Sequence, residues 1–248
     1  EWEGACERQI HCLTVLGAIC HRLNEPLDEV KKLFSRAETI HREREIRRQS
    51  ESGTATPDIS RIFLHSEPGC RYCVVLLSDG KTNPNELLER SSYMSQWWKS
   101  QHSDPNVRKK PGFMINAVHE LTKGRILMAM ADRMPEGDSR KRNTYYKAAA
   151  DLDSAIALVQ LAHNVPYQCQ PLLARADLKH RMGEFKGALH DLEEVIRIAG
   201  EMRLYKAEAK LALAEIKLER SSASGHDPST VRQEVHNLIT DAEKLITS

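Results

Sequence analysis

Apolar residues in this chain recur at spacings of three and four almost from end to end, in blocks separated by short polar segments. That period belongs to one face of an α-helix, so the pattern predicts an all-α fold of ten helices. The residues filling it agree, since Ala, Leu, Glu, Arg and Lys dominate and aromatic residues make up only 5%; these types lose least on entering a helix. The breaks carry start and stop signals. Asn83-Pro84-Asn85-Glu86 offers an N-cap, a proline at the first helical position and an acid at the third, and Asp227-Pro228 repeats the signal. Gly80, Gly183 and Gly225 lie just past apolar runs, where a left-handed residue lets a helix stop.

The most regular unit runs from Tyr167 to Gly200. Ala176 sits in its first helix, Gly183-Glu184-Phe185 makes the turn, Ala188 opens the second helix, and Leu192, Val195 and Ala199 continue a buried stripe. Small residues at 176 and 188 allow two antiparallel helices to approach closely while Phe185 plugs the turn. This pattern resembles the tetratricopeptide repeat. Looser copies pair Ala18 with Val30, Phe34 and Ala37, Cys73 with Leu87 and Met94, Gly124 with Ala150 and Ala157, and Ala214 with Val235, Leu238 and Ala242. The turns differ through polar insertions at 50–57, 102–111 and 221–228. The expectation is an antiparallel helix-hairpin superhelix, a TPR-like α-solenoid of about five hairpins at 2–48, 59–101, 112–164, 167–200 and 202–247, forming one repeat domain over 1–248.

Four strings carry a narrower resemblance. Pro68-Gly69-Cys70-Arg71-Tyr72-Cys73, Leu121-Thr122-Lys123-Gly124-Arg125, Leu172-Leu173-Ala174-Arg175-Ala176 and Met202-Arg203-Leu204-Tyr205-Lys206-Ala207, the last followed by Ala214, come in the order of one family's signatures. They resemble the TPR-like helical sensor region of large bacterial signal-transduction ATPases of the STAND type, often found beside TIR or caspase-like effector domains. The similarity spans most of the chain and departs from the family at 50–57, which is polar and insertion-like, and at 132–141, which is longer and more basic. The resemblance implies a regulatory docking platform without catalytic activity. Its partner would be a protein or peptide segment, including other domains of the same polypeptide, and ligand would shift a closed assembly toward an open one by differential affinity. First helices line the groove in that architecture, so Arg71, Arg125, Arg175, Lys179 and Lys206, which flank the small residues, become candidates to clamp carboxylates or phosphates. The alternative is a small-molecule or peptide receptor whose groove closes into a pocket lined by Tyr72, His119 and Tyr205.

Other functions are disfavoured by charge and spacing. Lys plus Arg (36) nearly cancels Asp plus Glu (35), leaving no overall field to hold a phosphate backbone. The start Glu1-Trp2-Glu3 has neither a basic nor an apolar leader region, and no apolar run approaches membrane-spanning length. A start without Met, inside a helical pattern, is expected of a segment of a longer polypeptide. Six cysteines, five of them within helical patterns, are too few for a disulfide framework in a chain of 248 residues and read as reduced thiols of a cytoplasmic protein.

The motifs that mimic chemistry each lack a required part. Val74 to Thr82 looks like a strand leading into a phosphate loop, but Val75 stands where a Walker loop needs glycine. Cys70 and Cys73, with His65 before them, have no second closely spaced ligand pair and read as packed thiols, as do Cys6, Cys12 and Cys20. His119-Glu120 has Lys123 where a zinc-protease helix has its second histidine. Asp151 and Asp153 point apart on a helix, and no glycines frame a serine as a nucleophile. Basic clusters at Arg42, Arg44, Arg47 and Arg48, at Arg108, Lys109 and Lys110, and at Arg140, Lys141 and Arg142 could form a phosphate-facing rim, but the first is interleaved with Glu43 and Glu45. Trp97-Trp98 lacks the repeated aromatics of a base-stacking platform. No catalytic, cofactor-binding or metal-ligating residue is expected, nor a nucleic-acid partner.

Overall fold

In the computed structural model the three- and four-residue spacing is realised as helix. The structure describes residues 2–52, 63–64, 66–101, 110–224 and 228–247. Among these the fold is all-α, with no strand: α1 (Trp2–Arg22), α2 (Leu27–Ser52), α3 (Ser66–Asp79), α4 (Pro84–Gln101), α5 (Lys110–Asp132), α6 (Ser139–Leu161), α7 (Val165–Arg181), α8 (Phe185–Ala199), α9 (Arg203–Ser224) and α10 (Pro228–Thr247). His65, Arg108, Lys109, Gly225, Asp227 and most of the three insertions lie outside the described residues, as do the side chains of Met94, Trp97, Trp98 and Lys110.

The helix boundaries follow local chemistry. Asn83 caps α4, its Oδ1 accepting from the Asn85 backbone N–H at 3.0 Å, and Asp138 caps α6 in the same way through Arg140 at 2.9 Å. Gly80, Gly183 and Gly200 end α3, α7 and α8 with positive φ. Two further turns use the left-handed region without glycine, at Asn24 after α1 and His163 after α6. Sequence reading missed both, because it keyed on glycine alone. The Val74 to Thr82 segment is the end of α3 followed by the Gly80 turn.

The chain divides into two compact units, 1–129 and 130–248. In the first, α1 packs on α2, both touch α3, and α3 packs on α4. Val30, Phe34 and Ala37 form the buried stripe of α2, as their spacing predicts. The small residue opposite them is Gly17 and not Ala18, which is only half-buried. A Cβ at Gly17 would stand 2.6 Å from Cε2 and 2.9 Å from Cδ2 of Phe34, so hydrogen alone fits there. The thiols of Cys6, Cys70 and Cys73 are buried, but Cys12 is exposed on α1, and all six cysteines are helical and in no disulfide.

His41 of α2 is buried in the first unit. Burial, followed by the Arg44 and Arg42 charges, lowers its pKa from 6.5 to about 4. In the unfolded chain it titrates near 6.5, so between those values the unfolded state binds the extra proton. The stability that neutral His41 contributes is therefore full above about pH 6.5 and falls as the pH drops toward 4, by up to about 3 kcal/mol. Denaturant melts from pH 7.5 to 4 are expected to show this loss, and His41→Gln is expected to flatten it. An equal slope in the variant would assign the acid sensitivity to other groups.

In the second unit each helix from α6 to α10 packs on its chain neighbour, and α7 also reaches α9. Its core gathers Leu172, Leu173 and Ala176 of α7, Ala188, Leu192, Val195 and Ala199 of α8, and Ala209, Leu213 and Ile216 of α9, with Phe185 packed at the turn. The stripe predicted within the regular unit at 167–200, Ala176, Ala188, Leu192, Val195 and Ala199, is thus buried. Ala214, Val235 and Ala242 are buried, with Leu238 against the core. The register expected for α6 is corrected: Ala150 and Ala157 are exposed, and the buried stripe is Thr144, Tyr145, Ala148, Leu152, Ala155, Ile156 and Val159. Matching on small size chose the wrong face because α6 carries alanines on both, while bulk is concentrated on the buried one.

Candidate docking face

Helix α9 carries two apolar rows where a two-layer packing needs one. The first, Ala207, Ala209, Leu213, Ala214 and Ile216, is buried. The second is Leu204, Leu211 and Leu218, which are 56%, 43% and 43% exposed. Seven residues separate successive leucines, close to two helical turns, so they stand on one face at steps of about 10.5 Å. Exposed single leucines are ordinary, whereas an aligned row forms a continuous apolar strip.

The charges around this row are segregated. Glu208, Glu215 and Glu219 are exposed on the leucine side of α9. The three lysines of α9 are engaged elsewhere: Lys206 Nζ donates to the Gly200 carbonyl at 2.9 Å, Lys210 to Asp241 and Lys217 to Glu234 of α10, each at 2.6 Å. On the other flank His180 of α7 meets Glu219 at 2.5 Å, and Gln170 donates to the Tyr205 hydroxyl at 2.8 Å. These contacts tie α9 to α10 and α7, and the exposed side between them carries the leucines with Glu208 and Glu215.

Arg175 and Lys179 come together, but on the protein itself. Asp191 of α8 is only 1% exposed; it accepts from Arg175 Nε at 2.9 Å and Nη2 at 2.7 Å, and from Lys179 Nζ at 2.8 Å. The remaining Nη1 of Arg175 donates to Asp153 of α6 at 2.6 Å. Gly187 makes room for the Lys179 stem, which passes 3.0 Å from where a Cβ would be. The hydrogen bonds to Asp191, then burial opposing them, leave the Arg175 pKa raised, so its charge is held. The arrangement joins three helices and works as an internal clasp.

In the first unit Tyr72 is part of a packed cluster. Its ring stacks on Phe34 at 5.1 Å, its hydroxyl lies 3.0 Å from that of Ser35, and the Arg90 guanidinium sits 5.4 Å from its centroid and 4.3 Å from that of Phe63. Buried Glu38 anchors Arg90 at 2.7 Å and also accepts from the Leu64 backbone N–H at 3.3 Å. His119 is buried in α5, with Nδ1 3.5 Å from the Glu120 carboxylate. Arg71 in α3 and Arg125 in α5 are half-buried.

Several basic groups of the clusters that could have formed a phosphate-facing rim meet carboxylates or a ring. Arg44 pairs with Glu7 and Glu45, Arg42 with Glu38, and Arg47 with Glu51 while lying 4.4 Å over Trp2. Arg140 grips Asp138, Lys141 pairs with Glu136, and Arg142 contacts the Tyr146 hydroxyl. Burial pushes the Cys73 thiol far above its usual range and that of Cys169 up to about 11, so neither is a ready thiolate. Among the described residues no cluster of three His, Cys, Asp or Glu could hold a metal ion, and no helix is long and apolar enough to cross a membrane.

No protein-family model matches the chain, and neither the curated proteins nor the solved structures yield a match.

Proposed function

We propose that this chain is a protein-docking scaffold built of stacked TPR-like helical hairpins, which takes a segment of a partner on the outward face of α9 and so regulates an attached or associated signalling effector. The observation that carries the reading is the aligned row of Leu204, Leu211 and Leu218, apolar surface held in solvent on a helix already anchored on both sides. The packing order supports the stacking: each helix from α6 to α10 meets the next, and α7 reaches α9, as nearest-neighbour hairpins do. In this reading the chain is cytoplasmic and has no catalytic centre of its own. The clasp at Asp191 and the cluster at Arg90 give it rigidity, so that little ordering entropy opposes binding.

The receptor reading requires a small molecule held in a groove, and the two are separated by recovery. Affinity capture is expected to yield a protein partner with the native chain and to lose it with Leu211→Gln, while native mass spectrometry finds no retained metabolite. A stoichiometric small molecule in the native spectrum, or turnover by the chain that one substitution abolishes, would overturn the docking assignment.

A further inference from the structure

We infer that the occupant of the α9 face is a cationic amphipathic helix. The inference rests on the docking reading above and concerns the chemistry of the partner. Its first support is the spacing of the anchors. Steps of about 10.5 Å between Leu204, Leu211 and Leu218 match seven residues of a helix laid along α9, which returns the same face at every step. An extended peptide covers the same step in about three residues, an odd number, so its side chains would point alternately toward α9 and away. A helical partner therefore fills the row with side chains from one stripe, at i, i+3 or i+4, and i+7.

The second support is charge. Glu208, Glu215 and Glu219 stand exposed beside the leucines, Glu219 also meeting His180, while Lys206, Lys210 and Lys217 are drawn to Gly200 and α10. The face presents apolar surface edged with carboxylates, whose complement is a stripe of apolar residues edged with Lys or Arg. A second copy of this face would set the same carboxylates against its own. An acidic helix would add like-charge repulsion to the desolvation of its own groups.

The test titrates the full chain with two short model helices that carry identical leucine stripes, one flanked by lysines and one by glutamates, read by fluorescence anisotropy and by amide exchange on the protein. The lysine-flanked peptide is expected to bind at least about tenfold more tightly, to lose affinity as salt is raised, and to protect α9. Glu208→Lys with Glu215→Lys is expected to reverse the preference. Equal binding of the two peptides, protection on other helices, or no binding of either would overturn the cationic-helix inference. If partner capture by the native chain and its loss in Leu211→Gln persist in that case, the docking scaffold stands with a partner of different chemistry. If capture fails as well, both readings fall. A dimer in sedimentation that Leu211→Gln dissolves would give the face to a second copy and overturn the inference.

Discussion

Asp191→Ala is expected to lower the stability of the second unit by about 3 kcal/mol, near 10 °C in its Tm, measured by denaturant and thermal melts. The carboxylate is almost wholly enclosed and receives three charge-assisted hydrogen bonds from Arg175 and Lys179. Removing it leaves two cations, each about a quarter or less exposed, facing one another across the vacated space. Arg175 keeps Asp153 and both cations retain some access to water, which holds the cost near the lower end for a broken buried pair. Asp191→Asn is expected to be nearly as harmful, because its NH2 would face donors. The combined change Asp191→Leu, Arg175→Met and Lys179→Met is expected to recover most of the loss, since apolar groups of similar volume leave no charge uncompensated. A single alanine variant as stable as the native chain would show that the clasp contributes little.

Gly17→Ala is the second large effect, expected at about 1–3 kcal/mol in the first unit. The added methyl meets the Phe34 ring well inside van der Waals contact, and that ring is fully buried and stacked on Tyr72, so it has nowhere to retreat. Alanine gains about 1 kcal/mol in helix propensity over glycine, which offsets part of the clash. Phe34→Leu removes the obstructing edge, so the double variant is expected to lose less than the sum of the two singles. Strict additivity would mean that the helices simply separate and that the close approach of α1 to α2 is not specific.

How far these features were legible in the residues depends on how many rows each helix carries. The unit at 167–200 was readable because α8 has one strong apolar row and its turn has both Gly183 and Phe185. Helix α1 misled by a single position, since Gly17 and Ala18 are both small and only contact with Phe34 distinguishes them. Helix α6 misled because its alanines occupy both faces. The candidate site was chosen from cations beside small residues, and Arg175 and Lys179 do stand there, but a buried aspartate twelve and sixteen residues away claims them. Nothing in a local window marks Asp191 as enclosed. The leucine row of α9 was visible as a seven-residue repeat with Glu208 and Glu215 between. It reads as core until the buried row beside it is known to be sufficient.

The most direct measurement of the docking claim is the triple variant Leu204→Gln, Leu211→Gln and Leu218→Gln, followed by its melt and by its binding to the captured partner. If the leucines serve a partner, helical content is unchanged, Tm stays within about 2 °C of the native chain, and binding is gone. A fall in Tm of more than about 5 °C, which would make the row part of the core, or binding that survives all three substitutions, would contradict the account.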